Sequence, residues 1–178
     1  MQKSLMILAH PEIKKSIGNK IISDLFSKET NTEVRHLDQL YPDFNIDIKA
    51  EQEALLNADT IVFQFPLFWY NMPAILKHWI DKVFEYGFAF GADSILNNKN
   101  VIVSFTIGSS IKDYPNEVIQ KIAFPFQGLT TYCNLNYLGE IYCNDINGYS
   151  EAAKENAIKT AKDHTKKLLD LINQQITH

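Results

Sequence analysis

Three short, mostly apolar runs, Leu5–Ala9, Thr60–Phe65 and Val101–Phe105, constrain the fold more than any other feature of the chain. Each is too short for an amphipathic helix, and the last two are rich in β-branched and aromatic residues, so each reads as a strand buried on both faces. That is the form of a central parallel strand. Segments of helical period lie between and around them. Ile17, Ile21, Ile22, Leu25 and Phe26 share one helix face, and Ala50, Ala54, Leu55 and Ala58 mark a short helix. Glu51 and Glu53 fall near the start of that helix, where its dipole favours acids. Leu76, Trp79, Ile80, Val83 and Phe84 form the clearest amphipathic helix, with Gly87 as its expected stop. Thr32–Asp38 and Asn136–Cys143 supply two further strands. Glu117–Tyr132 has helical spacing that Pro125 should end or kink. Ser150 can cap a last helix whose inner face runs from Ala153 through Ala157, Ala161, Thr165 and Leu168 to Ile172.

Strands alternating with helices predict an α/β domain with right-handed crossovers. Five strands in this length predict a flavodoxin-like three-layer sandwich whose parallel sheet has the order 2-1-3-4-5. With 178 residues the chain reads as one domain spanning 1–178. A formal net charge of -4 and the lack of a basic stripe argue against nucleic acid as the main partner. Cys133 and Cys143 suit neither a metal site nor a disulfide framework and are expected to be reduced and buried. No metal site is expected. Without a signal-peptide core or a credible spanning segment, a cytoplasmic location is expected.

In the predicted order, strands one, three and four bring their C-terminal loops together at the topological switch point, where ligands bind. The first loop holds His10, Ser16, Ile17, Gly18 and Asn19 and leads into a helix N-terminus, whose free amides attract an anion. His10 either donates to a ligand or bonds to neighbouring backbone. The second loop, Leu67, Phe68, Trp69 and Tyr70, lies between Pro66 and Pro73 and offers a flat wall; the rival reading is a buried aromatic cluster. The third, Thr106, Ile107, Gly108 and Ser109, offers backbone donors that can approach a heterocycle closely at Gly108. Neither a Walker A sequence nor a GxGxxG turn is present. A ligand with a phosphate at one end and a flat ring at the other satisfies all three loops, and FMN is such a ligand.

LAHP at Leu8–Pro11, SIGN at Ser16–Asn19, LDQLYPDFNIDIKAEQEAL at Leu37–Leu55 and QFPLFWYNMPAILKHWIDKVFEYGFAFG at Gln64–Gly91 carry a resemblance. The chain is similar to the flavodoxin-like NAD(P)H quinone oxidoreductases, the DT-diaphorase family. It especially resembles the short bacterial branch that includes the ancillary protein of the glutathione-regulated potassium-efflux system. The resemblance implies phosphate and ribityl contacts at His10 and Ser16 through Asn19. It further implies a ring-facing loop at Leu67 through Tyr70 and contacts to the polar ring edge at Thr106 through Ser109. The family's third loop usually reads TTGG, so Ile107 and Ser109 depart from it. Some members place a Tyr and a His after that loop; here Tyr114 is the Tyr of the segment and Ile111–Phe124 holds no His. Tyr114 either faces the flavin or packs the loop before Pro115.

The function so implied is two-electron quinone reduction by NAD(P)H in a ping-pong exchange, with the Gly108 backbone stabilising negative charge. FMN is favoured over FAD because the C-terminal extension of longer members is missing. Azo- or nitroaromatic reduction on the same flavin and a regulatory role on a membrane transporter are the alternatives. A homodimer is expected from the resemblance, with Trp69, Phe88 and Phe90 serving either its interface or the core.

Overall fold

The apolar runs become the middle of one parallel sheet. The computed structural model describes residues 2–115 and 117–174. Its strands β1 (Ser4–Leu8), β2 (Thr32–His36), β3 (Thr60–Pro66), β4 (Asn100–Thr106) and β5 (Asn136–Cys143) stand in the order β2-β1-β3-β4-β5, with every pair parallel. This is the flavodoxin-like order expected from the sequence. The helices are α1 (Gly18–Phe26), the single turn α2 (Leu37–Leu40), α3 (Ile48–Asn57), α4 (Ala74–Val83), α5 (Val118–Tyr132) and α6 (Glu151–Gln174).

Alternation along the strands sorts the core into two layers. Ile7, Phe63, Phe65, Val103 and Phe105 face α3, α4 and α5, where Trp79 and Phe126 meet them. Met6, Leu8, Val62 and Ile102 face α1 and α6, against Ile22, Phe26, Ala161 and Leu168. Burying one such aromatic or aliphatic side chain contributes about 1.5–3 kcal/mol, so each helix is held chiefly by this stripe. Two fully buried residues break the pattern: Gln64 on β3 and Ser104 on β4, which stand opposite each other in register. Between β4 and β5 the register shifts after Val101, and Gly139 at φ 130° takes the backbone conformation that the shift requires.

Several expected boundaries move. β2 ends at His36 because the fully buried Leu37 turns inward, and its carbonyl accepts from the Tyr41 N–H at 2.8 Å to close α2. α4 stops at Val83, not near Gly87; Gln52 Nε2 donates to the Val83 carbonyl at 3.1 Å. Gly87, at φ 81°, sits in the following loop and donates to the Phe90 carbonyl at 2.8 Å. Pro125 does not end α5, because it lies on the exposed side together with Lys121, whose carbonyl its ring leaves without the usual helical donor. Ser150 does cap α6, its hydroxyl accepting from the Ala153 N–H at 3.1 Å. Phe88 is core rather than surface, Phe90 is half-buried, and Trp69 is 94% exposed. Cys133 and Cys143 are free and buried, and burial pushes the Cys143 thiol up to about 12. Among the described residues no helix is long and apolar enough to cross a membrane.

Glu51 is the largest surprise on the α3 side. It lies in the first turn of α3 as expected, yet it is fully buried. Arg35 donates to it through Nε at 2.8 Å and Nη2 at 2.5 Å, the Tyr41 hydroxyl at 2.5 Å and Trp79 Nε1 at 2.9 Å. Burial and the neighbouring Glu51 push the Tyr41 hydroxyl up to about 12.

Candidate functional site

Strands β1, β3 and β4 finish side by side, Leu8 opposite Gln64 and Pro66 opposite Thr106. The loops leaving them therefore meet, and between them lies a cleft of about 350 Å³. His10, Ser16, Ile17 and Asn19 line it from the first loop, Leu67 and Phe68 from the second, and Thr106 and Gly108 from the third.

The first loop is organised by hydrogen bonds that hold His10 in place. Its N–H donates to Asp38 Oδ2 at 2.7 Å, its carbonyl meets His36 Nε2 at 2.9 Å, and its Nδ1 accepts from the Glu12 N–H at 3.1 Å. An accepting Nδ1 leaves the proton of the neutral ring on Nε2. Burial lowers the His10 pKa from its ordinary value despite the nearby Asp38, so the neutral form is favoured. Ser16 Oγ accepts from the Asn19 N–H at 3.2 Å, which makes it the working cap of α1. The N–H groups of Ile17 and Gly18 donate to no acceptor among the described residues. Gly18 is required by close packing: a Cβ there would stand 2.7 Å from Ile146 Cγ2.

Asn19 departs from its expected role. Its side chain is 1% exposed and committed inside the protein, donating to Thr106 Oγ1 at 2.8 Å and accepting from Gln64 Nε2 at 2.8 Å. It ties loops together rather than reaching out from one.

The aromatic connection is a surface feature, as the bracketing prolines imply. Phe68 and Asn71 exchange both backbone hydrogen bonds at 3.0 Å, closing a two-residue turn in which Trp69 (φ 47°) and Tyr70 (φ 64°) are left-handed. Asn-Gly is the usual occupant of such a turn. Bulky residues there cost about 1–3 kcal/mol each, and strain of this kind concentrates at binding sites. Leu67 and Phe68 line the cleft. Trp69 and Tyr70 do not; they stand beyond its rim, where the Tyr70 ring meets that of Tyr114 edge-on at 5.3 Å.

In the third loop Ile107 is fully buried, its N–H donating to the Cys143 carbonyl at 2.8 Å and its carbonyl accepting from Ile146 N–H at 3.0 Å. It has no polar group to spare for a ligand. The N–H groups of Gly108 and Ser109 donate to no acceptor among the described residues. The Ser109 hydroxyl lies 3.3 Å from that of Tyr114.

Sequence reasoning missed a fourth loop. Ile146, Asn147 and Gly148, between β5 and α6, also line the cleft. Asn147 Nδ2 donates to the Gly108 carbonyl at 3.1 Å, and the Asp145 N–H donates to the Ser109 carbonyl at 3.0 Å. This loop holds the third one by its carbonyls and leaves its amides free. The strand order could have revealed it, since β5 is the neighbour of β4.

A family model described as a flavodoxin-like fold matches residues 2–169. The chain belongs to this flavodoxin-like family. Among its flavodoxin-like relatives, the glutathione-regulated potassium-efflux system ancillary protein KefF of Enterobacter sp. (strain 638) is 44% identical over 140 residues, 75% of this chain and 78% of that protein. The general stress protein 14 of Treponema denticola, solved in complex with FMN, superposes with a TM-score of 0.85 at 32% identity, covering 95% of this chain and 99% of that one. A quinone reductase candidate from Klebsiella pneumoniae superposes with a TM-score of 0.71 at 25% identity, covering 94% and 85%.

Proposed function

We propose that the chain is an FMN-dependent NAD(P)H oxidoreductase that delivers two electrons to a quinone-type acceptor, with donor and acceptor using the cleft in turn. The observation that carries this reading is the set of unpaired amides in two of the loops that form the cleft. Those of Ile17 and Gly18 open α1, those of Gly108 and Ser109 follow β4, and Leu67 and Phe68 add an apolar wall. A phosphate fits the first pair, where the helix dipole adds to the donors. The polar edge of a flavin ring fits the second.

Ser16 and the Nε2–H of His10 would add donors for the phosphate and ribityl oxygens. FMN held there would supply the two-electron exchange, taking a hydride from the nicotinamide and returning it to the acceptor. The chain itself would bind, orient and stabilise. Leu67 and Phe68 would set the plane of the ring, and the fixed amides of Gly108 and Ser109 would oppose negative charge at its edge without reorganising. Asn147 would keep those amides aimed. Tyr114, held against Tyr70 and Ser109, would offer its hydroxyl near the mouth where an acceptor enters. A homodimer using the exposed Trp69 turn and a cytoplasmic location belong to the same proposal.

The 44% identical relative favours a second reading, in which the domain docks on a membrane transporter and turnover is secondary. An anaerobic visible spectrum of the FMN-reconstituted protein tests the first. Bleaching by NADH or NADPH and recovery on adding a benzoquinone are expected. Bound flavin that neither reductant bleaches would overturn the enzyme reading and leave the regulatory one.

A further inference from the structure

Behind the cleft, on the α1 and α6 side of the sheet, runs a chain of neutral polar side chains that the proposed chemistry does not use. Thr106 Oγ1 and Asn19 Nδ2 are 2.8 Å apart, Asn19 Oδ1 and Gln64 Nε2 2.8 Å, Gln64 Oε1 and Ser104 Oγ 2.6 Å, and Ser104 Oγ and His164 Nε2 2.7 Å. Every member is at most 5% exposed. One end is a histidine on α6 and the other a hydroxyl on the cleft wall.

Such a chain has only two consistent polarities. Hydroxyls turn freely, and a half-turn of an amide exchanges donor for acceptor, so each member can face either way, but all must face the same way. Burial pushes the His164 pKa down to about 4, so the ring is neutral and carries one proton. The neighbouring Tyr142 backbone carbonyl can only accept, so it favours the proton on Nδ1 until a ligand in the cleft draws it to Nε2. With the proton on Nδ1, Nε2 accepts from Ser104, Ser104 accepts from Gln64, Gln64 from Asn19, and Asn19 from Thr106. Thr106 then shows the cleft its lone pairs. With the proton on Nε2, each bond reverses and Thr106 is free to donate into the cleft.

We propose that His164 is a positioning residue: the nitrogen carrying its proton sets, through Ser104, Gln64 and Asn19, whether Thr106 offers a ligand a donor or an acceptor. A carbonyl or phosphate oxygen at Thr106 draws the proton to Nε2; an N–H or hydroxyl leaves it on Nδ1. A ligand in the cleft is thereby sensed on α6. Only the identity of the ligand rests on the flavin reading.

The test begins without flavin. In 15N-labelled protein, long-range 1H–15N correlation reads the two ring nitrogens of His164, assigned by their loss in His164→Phe. Thr106→Val, at the far end of the chain, is expected to displace the His164 Nε2 resonance, and to add no displacement in a Gln64→Met background. Identical His164 spectra for the wild type and Thr106→Val overturn the proposal. FMN is then titrated by fluorescence quenching. His164→Phe should weaken FMN about tenfold, the worth of one hydrogen bond, but less than about twofold when Gln64→Met has already cut the chain. Equal losses in both backgrounds mean packing alone and overturn the proposal. If wild-type protein binds no FMN, the flavin reading falls, and the flavin-free spectra still decide the relay.

Discussion

The two faces of the sheet each bury a polar network, and the two are built on opposite principles. On the α3 and α4 face, Glu51 gathers Arg35, Tyr41 and Trp79. Charge meets charge, three elements are pinned together, and no member reaches the cleft. On the α1 and α6 face, Asn19, Gln64, Ser104 and His164 are all neutral, joined end to end, and open onto the cleft through Thr106. A closed charged cluster has a single arrangement and fixes architecture. A neutral chain has two, exchanged when its hydroxyls and amides turn and the ring proton changes nitrogen, and can respond to what binds.

Cutting the charged cluster should do the greater harm to stability. Glu51→Leu strands a largely buried guanidinium and two donors, and is expected to cost about 3–5 kcal/mol in urea unfolding. The same change should leave FMN affinity within about twofold where the protein is still folded, since the neutral chain is untouched. A large loss of flavin at intact fold would erase the distinction between the networks.

Acid should strike the neutral chain through His164. Its folded pKa lies near 4 against an ordinary 6.5, so the unfolded chain binds a proton there that the folded chain does not. The resulting stability is complete above about pH 6.5 and falls as pH drops towards 4, by about 3 kcal/mol in all. Comparing urea midpoints of wild type and His164→Phe across that window isolates this share. Parallel pH curves for the two would show that His164 does not supply it.

Gln64→Met sharpens the contrast from the other side. Leaving Asn19 and Ser104 without their shared partner should cost about 1–3 kcal/mol. Unlike Glu51→Leu, it should also lower FMN affinity, which fluorescence titration reads directly. The mildest change is Tyr41→Phe, which takes one donor from Glu51 while Arg35 and Trp79 remain. It is expected to cost about 1 kcal/mol in thermal unfolding and nothing in flavin binding.

Much of the architecture was legible because it rests on period. The continuous apolar runs of β1, β3 and β4 and the three-four repeat of Trp79, Ile80 and Val83 needed no tertiary knowledge to read. The loops were placed correctly because strand order places them. What stayed hidden was where polar side chains point. Glu51 reads as a helix-start acid and Asn19 as a ligand contact, and only the packing of Arg35 or Gln64 beside them turns each inward. Gln64 and Ser104 sit inside runs that look simply apolar. The left-handed turn at Trp69 and Tyr70 was illegible for a different reason: neither residue favours that conformation, so local preference pointed away from it.

That turn also divides the chain's only two tryptophans between opposite surroundings. Trp69 projects into solvent next to Phe68, which lines the cleft, and Trp79 is fully enclosed with its indole N–H on Glu51. A soluble quencher will reach the first and spare the second, so the emission of unlabelled protein separates into two reporters. One will register events at the mouth of the cleft while the molecule is intact, and the other will change only when the interior opens.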